Sequence, residues 1–186
     1  MSLAIALLAA GGATRFGGGK LDVDCASKSL GQWALKAALA LPHERLAVVV
    51  SNPVPNFARG CELLVNERAT EGLGTSAAVA AGWAAGSDAL LLLLADMPLV
   101  STVTLKKLVQ AGGPAAVRYP GDRPGAPACF PAELFPALEA LTGDSGAAQV
   151  LRGLPNVRLI ETSPEELRDV DRPGDLADVA AILAAR

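Results

Sequence analysis

With 186 residues, 16 Lys and Arg against 19 Asp and Glu, and a formal net charge of −3, the chain is long enough for one domain with a substantial core and carries no basic block. That balance argues against a nucleic-acid backbone as partner, so any anion site has to be local and made by a few cations. The composition, 51% hydrophobic but only 4% aromatic, requires a core of Ala, Leu and Val.

Cys25, Cys61 and Cys129 are far apart, odd in number and form no Cys-x-x-Cys pair. This argues against a disulfide framework and a structural zinc site, and for a reducing cytoplasm. The apolar start of the chain lacks a basic n-region and gives way to glycines within about ten residues, so it does not read as a secretory signal. The apolar run 89–95 falls far short of the ~20 residues of a membrane span. The expectation is a cytoplasmic protein, one domain over residues 1–186, with neither membrane nor nucleic acid as partner.

In chain order, a buried strand at Leu3–Leu8 leads directly into Leu8-Ala9-Ala10-Gly11-Gly12-Ala13-Thr14-Arg15-Phe16-Gly17-Gly18-Gly19-Lys20. Residues 32–41, beginning near Ser29, have helical apolar spacing and stop at Pro42. Strands follow at 46–50 and 61–65, then a small-residue helix at 75–85 with Gly74 just before it. The run 89–95 holds five consecutive leucines flanked by alanines; such continuous hydrophobicity implies burial on both faces and a central position. Ser101 reads as the N-cap of a helix through Val109. Ala115–Tyr119 is a further strand, the proline-rich stretch 120–127 a loop over the sheet edge, and Pro131 the first position of a helix reaching Leu141. A helix at 146–151, a strand at 157–160 and a closing helix at 174–185 complete the chain. Apolar strands alternating with helices are the signature of an α/β fold with a mainly parallel sheet.

The segment 8–20 is the richest in chemistry. Backbone N–H groups freed by glycines, beside Arg15 and Lys20, form a site for a triphosphate. The Walker pattern fails because Thr14 stands where a glycine is needed and Leu21 where a Ser or Thr is needed; the dinucleotide fingerprint fails at Asp22. Ligands of open α/β sheets bind at the carboxyl ends of the strands, where Asn52 follows the second strand and Asp96 the leucine-rich one. Asp96 ends a strand too apolar to tolerate an unpaired charge, so it needs a partner. It reads either as a Mg²⁺ ligand, since Mg²⁺ takes one or two carboxylates plus phosphate oxygens, or as the cap of the turn made with Pro98. Lys28 is a second cation near the site mouth or a solvated lysine before a helix.

Leu-Ala-Ala-Gly-x-x-x-Arg-Phe-Gly-x-x-Lys resembles the opening of the molybdenum-cofactor (molybdopterin) nucleotidyltransferases, the MobA-like NTP transferase family. The resemblance continues in Lys28-Ser29-Leu30, where the family has Lys-Pro-Leu, in the Gly72–Ser76 segment and in Leu94-Ala95-Asp96-Met97-Pro98. It extends to Gly125-Ala126-Pro127, with Ala126 where cytidylyltransferases carry histidine, to 141–147, and to Asp169-Val170-Asp171-Arg172-Pro173. It implies a three-layer α/β/α Rossmann-like fold and Mg²⁺-dependent transfer of NMP from NTP to a phosphate acceptor, releasing pyrophosphate. It implies a triphosphate held by Leu8, Ala9, Ala10, Gly11, Gly12 and Lys20, and catalysis by Arg15, Lys20 and Asp96. Lys28, Asn52, Gly74 and Ser76 would contact the nucleotide or acceptor, and Asp96 with Asp171 the metal. Leu8-Ala9-Ala10-Gly11 resembles the cytidylyltransferase branch, which implies CTP, molybdopterin as acceptor, and a molybdoenzyme or its chaperone as partner. A guanylyltransferase, a sugar- or alditol-phosphate nucleotidyltransferase, and a non-catalytic nucleotide- or cofactor-binding module are the alternative readings.

Overall fold

The structure, a computed structural model, describes residues 1–12 and 16–185. In chain order its elements are β1 (Leu3–Leu8), β2 (Asp24–Cys25), β3 (Lys28–Ser29), α1 (Leu30–Leu39), β4 (Arg45–Val50), β5 (Glu62–Val65), α2 (Leu73–Trp83) and β6 (Ala89–Leu94). They continue with α3 (Thr102–Gln110), β7 (Ala115–Tyr119), β8 (Arg123–Pro131), α4 (Phe135–Glu139), α5 (Ala148–Leu151), β9 (Arg158–Ile160) and α6 (Pro173–Ala184). One sheet runs in the order β5-β4-β1-β6-β8-β7-β9, and β2 with β3 forms a separate hairpin. All neighbours in the large sheet pair in parallel except β8, which is antiparallel to β6 and to β7.

Alternate side chains of β1 and β6 feed two separate cores, which is why both strands read as unbroken apolar runs. On one face Ile5, Leu7, Leu91 and Leu93 meet Leu35 of α1, Leu105 of α3 and Val179 of α6. On the other, Ala4, Ala6, Leu90 and Leu92 meet Ala77, Ala80 and Ala81 of α2 with Leu138 of α4 and Leu151 of α5. The result is the three-layer α/β/α sandwich. Among the described residues no helix is long and apolar enough to cross a membrane.

The main departure from the sequence reading lies at 120–127. Most of that stretch is the first half of β8, inside the sheet between β6 and β7. Proline lacks the N–H a ladder needs and is tolerated where the ladder breaks. The register slips there: Ala128 faces Ala116 while Gly125 faces Val117, leaving Ala126 and Pro127 in a bulge. Pro131 closes β8 opposite Ala89 and caps a 3₁₀ helix, Ala132–Leu134, which runs directly into α4, so the expected helix begins as a 3₁₀ turn and ends at Glu139 rather than Leu141. The β2–β3 hairpin was not legible either, because its turn uses Ala26 and Ser27 at φ 52 and 73 in place of the usual Asn-Gly.

Local capping follows the sequence more closely. Ser29 precedes α1, and its N–H donates to Gln32 Oε1 at 3.0 Å. Ser101 Oγ accepts from Thr104 N at 3.1 Å at the start of α3, while Ser101 N–H donates to Glu166 Oε2 at 2.9 Å. Burial pushes the Glu166 carboxyl up, but the Ser101 N–H and the hydroxyls of Thr104, Ser101 and Thr162 outweigh it, holding the group below its ordinary 4.5. A carboxyl with a depressed folded value contributes stability above its unfolded pKa and loses it as pH falls through the folded one. Glu166→Gln is therefore expected to melt below wild type at pH 7, the gap closing as pH drops below about 4.5. Melting curves followed by circular dichroism from pH 7 to pH 3 check this; a gap independent of pH would contradict it.

Candidate functional site

The glycine loop is stitched to the sheet at its start. Ala9 N–H donates to Val49 O at 2.8 Å, Ala95 N–H to Leu8 O at 3.0 Å, and Ser51 Oγ to Ala10 O at 3.2 Å. Arg15, assigned to catalysis from the sequence, lies outside the described residues. Gly17, Gly18 and Gly19 hold φ of 92, 94 and 63, a left-handed run open to glycine. This delivers the chain into a short 3₁₀ turn, Lys20–Asp22. The turn is fastened by Asp22, whose carboxylate accepts from Asn56 N at 2.7 Å and Phe57 N at 2.8 Å.

Lys20 is thereby aimed inward and is only 7% exposed. Its Nζ donates to Asp96 Oδ2 at 2.7 Å, to Val170 O at 2.8 Å and to Asp171 Oδ1 at 3.4 Å. The partner that the apolar strand required of Asp96 is thus Lys20. The 169–171 segment docks on the end of β6 through Val170 N–H to Asp96 O at 3.0 Å, with the Val170 side chain fully buried. In extended chain alternate side chains share a side, so Asp169 and Asp171 both join Lys20 and Asp96 in lining one cavity of about 390 Å³. Leu8, Ala9, Ala10 and Gly11 form its other wall, with Leu21, Leu73 and Leu94 supplying apolar surface.

Sequence reasoning assigned Asp171 and missed Asp169, although Asp-Val-Asp around a core valine carried the signal. Burial, together with the charges of Asp96 and Asp171, pushes the Asp169 carboxyl up against the opposing pull of its own backbone hydrogen bond and Lys20. Tyr119 was also missed. Burial, then the charges of Asp169 and Asp96, pushes its phenol up. Its hydroxyl donates to Ala126 O at 3.1 Å, and its ring lies where a Cβ at Gly125 would overlap it.

Two further cavities share the glycine loop as a wall. One of about 410 Å³ lies between Ala10, Gly12, Asn52 and residues 65–70, and another of about 530 Å³ runs from Gly11 and Gly12 past Gly18, Gly19 and Asn52. Leu8, Ala9, Ala10, Gly11, Gly12, Lys20, Asn52, Asp96 and Asp171 are therefore brought to one continuous cleft. Lys28, Gly74 and Ser76 line none of its three parts. Lys28 Nζ stands 5.7 Å from the centre of the Trp33 ring. Gly74 N–H donates to Gly143 O at 2.9 Å, and a Cβ there would come within 2.9 Å of Thr142 O and Ser145 O. Ser76 Oγ and Thr75 Oγ1 each accept from Asn66 Nδ2 at 2.9 Å. Gly74, Thr75 and Ser76 thus brace the start of α2, whereas Lys28 lies beside α1. Asp144 is exposed, and the N-cap position of α5 falls to Ala147.

Three carboxylates against one lysine leave the first cavity with excess negative charge among its described residues. Those carboxylates would repel a triphosphate and favour one that arrives with a cation. Among the described residues no three His, Cys, Asp or Glu side chains converge tightly enough to hold a metal ion alone. Asp96 and Asp171 do converge, both on the same ammonium, and two carboxylates completed by phosphate oxygens and water suit Mg²⁺. The donor set therefore fits the ion.

A Rossmann-like sandwich with a glycine loop after its first strand, and a lysine and carboxylates gathered at the ends of β1 and β6, defines a nucleotidyltransferase. Residues 5–160 match the MobA-like NTP transferase domain, and the chain belongs to that family. The purine catabolism protein PucB of Bacillus subtilis (strain 168) is 30% identical, the match covering 89% of this chain and 90% of that one. A homologue of Mycobacterium tuberculosis Rv0371c from Mycobacterium sp. strain JC1 shares the fold at TM-score 0.84 and 23% identity, over 98% of this chain and 97% of its own. Rv0371c of M. tuberculosis H37Rv in complex with manganese does so at TM-score 0.77 and 20% identity, over 97% of this chain and 99% of its own.

The bracing role of Asn66, which is 3% exposed, is open to measurement. Asn66→Ala removes the donor to Thr75 and Ser76 and the acceptor of Arg68 N–H. It should cost about 1–3 kcal/mol, read as a lower urea midpoint at unchanged m-value. An unshifted midpoint would show that α2 is held by other contacts.

Proposed function

We propose that the protein is a cytidylyltransferase that moves CMP from CTP to a phosphorylated acceptor, molybdopterin, with release of pyrophosphate and dependence on Mg²⁺. On this reading it works as a single domain of residues 1–186 in the cytoplasm, handing its product to a molybdoenzyme or its chaperone. The observation that carries the reading is Lys20 placed against Asp96 and Asp171 beside the glycine loop.

In this assignment the amides of Ala10, Gly11 and Gly12 hold the triphosphate, and Arg15 and Lys20 stabilise charge on the α-phosphate and departing pyrophosphate. Asp96 and Asp171 would hold the Mg²⁺, which neutralises triphosphate charge when bound. The adjoining cavity bordered by Gly12 and Asn52 would take the base. An acceptor phosphate has a second pKa of about 6 and is largely ionised at neutral pH, so no general base is needed. That suits a chain whose single histidine, His43, sits in an exposed turn with Nδ1 2.7 Å from Leu41 O. The work left to the protein is positioning and charge neutralisation. The preference for CTP rests on Leu8-Ala9-Ala10-Gly11, and Ala126 in place of the family's histidine is the feature on which the acceptor has to be tested.

Thermal unfolding with ATP, GTP, CTP and UTP, each with and without Mg²⁺, tests the reading directly. A ligand at 100 times its Kd stabilises by about 2.7 kcal/mol. CTP with Mg²⁺ is expected to do so, and Asp96→Ala to abolish the effect. Selection of another base would overturn the choice of CTP, and silence with all four would overturn the nucleotide site. Lys20→Ala should cut turnover roughly 10²-fold with little change in CTP affinity. Equal loss of both, or no turnover in wild type with any phosphorylated acceptor, would favour a binding module.

A further inference from the structure

The proposed role of Lys20 in stabilising phosphate charge conflicts with where its donors are spent. An ammonium has three N–H donors. Here they face three protein oxygens: a carboxylate of Asp96, the carbonyl of Val170 and a carboxylate of Asp171. All three are hard oxygen donors of the kind that ligate Mg²⁺ or Mn²⁺. The lysine fills an oxygen cage suited to a divalent cation, and it has no donor left for a phosphate while it stays there.

We propose that Lys20 is a resident counter-ion that trades places with the divalent metal. Its ammonium holds Asp96 and Asp171 together, and the metal, arriving with the nucleotide, takes over those carboxylates and frees the lysine to reach the phosphates. The proposal rests on the nucleotidyltransferase reading of the cleft and adds a coupling to it. Were Lys20 to turn toward a metal-free triphosphate, Asp96 would lose its ammonium with Asp169 lining the same cavity and four phosphate charges arriving, an arrangement that Coulomb repulsion opposes. A divalent ion more than replaces the single charge withdrawn. The cage is also open on one side: the Asp171 side chain is 44% exposed, against 23% for Asp96 and 9% for Lys20. Exchange can therefore occur from solvent without unpacking the core.

The test is Mn²⁺ binding in the absence of nucleotide, followed by electron paramagnetic resonance of the free ion. If Lys20 competes with the metal, Lys20→Gln and Lys20→Met should each bind Mn²⁺ at least about tenfold more tightly than wild type. Adding Asp96→Asn to Lys20→Gln should abolish the gain. Removing the lysine also removes an internal ion pair, so both variants should melt below wild type in chelator and recover with Mn²⁺. Unchanged or weaker Mn²⁺ affinity in both variants would overturn the exchange, as would unfolding that Mn²⁺ does not reverse. Failure of the underlying reading looks different: wild type would then gain no stability from any nucleotide with metal. A wild type stabilised by nucleotide and metal, alongside lysine variants with unaltered Mn²⁺ affinity, would sink the exchange alone.

Discussion

The three-way contact of Lys20 with Asp96, Val170 and Asp171 organises the functional half of the molecule. It joins the end of the glycine loop, the end of the leucine-rich strand β6 and a segment 150 residues further along the chain. A lysine this deeply buried is tolerated because its charge is paired and its donors are satisfied. The carboxylates are held in turn: Asp96 by the strand it terminates, Asp171 by the backbone pairing of Val170 with Asp96. Remove the ammonium and three carboxylates face one another across a small cavity. The contact thus ties together a loop and a 169–171 segment that are each fastened by their own hydrogen bonds, and sets the charge of the cleft between them.

The two faces of the sheet divide the remaining work. One carries leucine, valine and isoleucine against α1, α3 and α6, a core of branched side chains. The other sets alanines of β1 against alanines of α2, so that helix and sheet approach closely. The start of α2 is then fixed from behind by Asn66, Thr75, Ser76 and the close approach of Gly74 to 142–145. Of these, Asn66 also lines the part of the cleft beside Gly12 and Asn52, while Gly74, Thr75 and Ser76 support it without lining it.

Much of this was legible in the amino-acid order, and the exceptions have physical causes. Leu3–Leu8 and 89–95 announced themselves because strands buried on both faces need no polar side chains. The need of Asp96 for a partner followed from the same apolar strand. β8 stayed hidden because Pro124 and Pro127 are ordinarily loop signals, and only tertiary pairing shows that a bulge absorbs the second of them. The resemblance drew Gly74 and Ser76 toward the ligand because it reports that a loop matters, not which side of it faces the cleft. Asp169 was within reach, since the alternation that buries Val170 turns both its neighbours the same way. No local pattern could have paired Lys20 with residue 171, as that contact exists only once the whole sheet has formed.

That last separation has a consequence for how the protein is made. Matching to the family domain stops at residue 160, yet the cavity that holds Lys20 is closed by Asp169 and Asp171. A growing chain can lay down the parallel strands β4, β1 and β6 while its later residues are still being added, since domains fold as their segments emerge. Until Val170 reaches the end of β6, however, Lys20 lacks two of its three oxygen partners. The cleft is thus among the last parts of the fold to be completed, and a chain cut short before residue 169 would keep most of its sheet while lacking the wall that gives the site its charge.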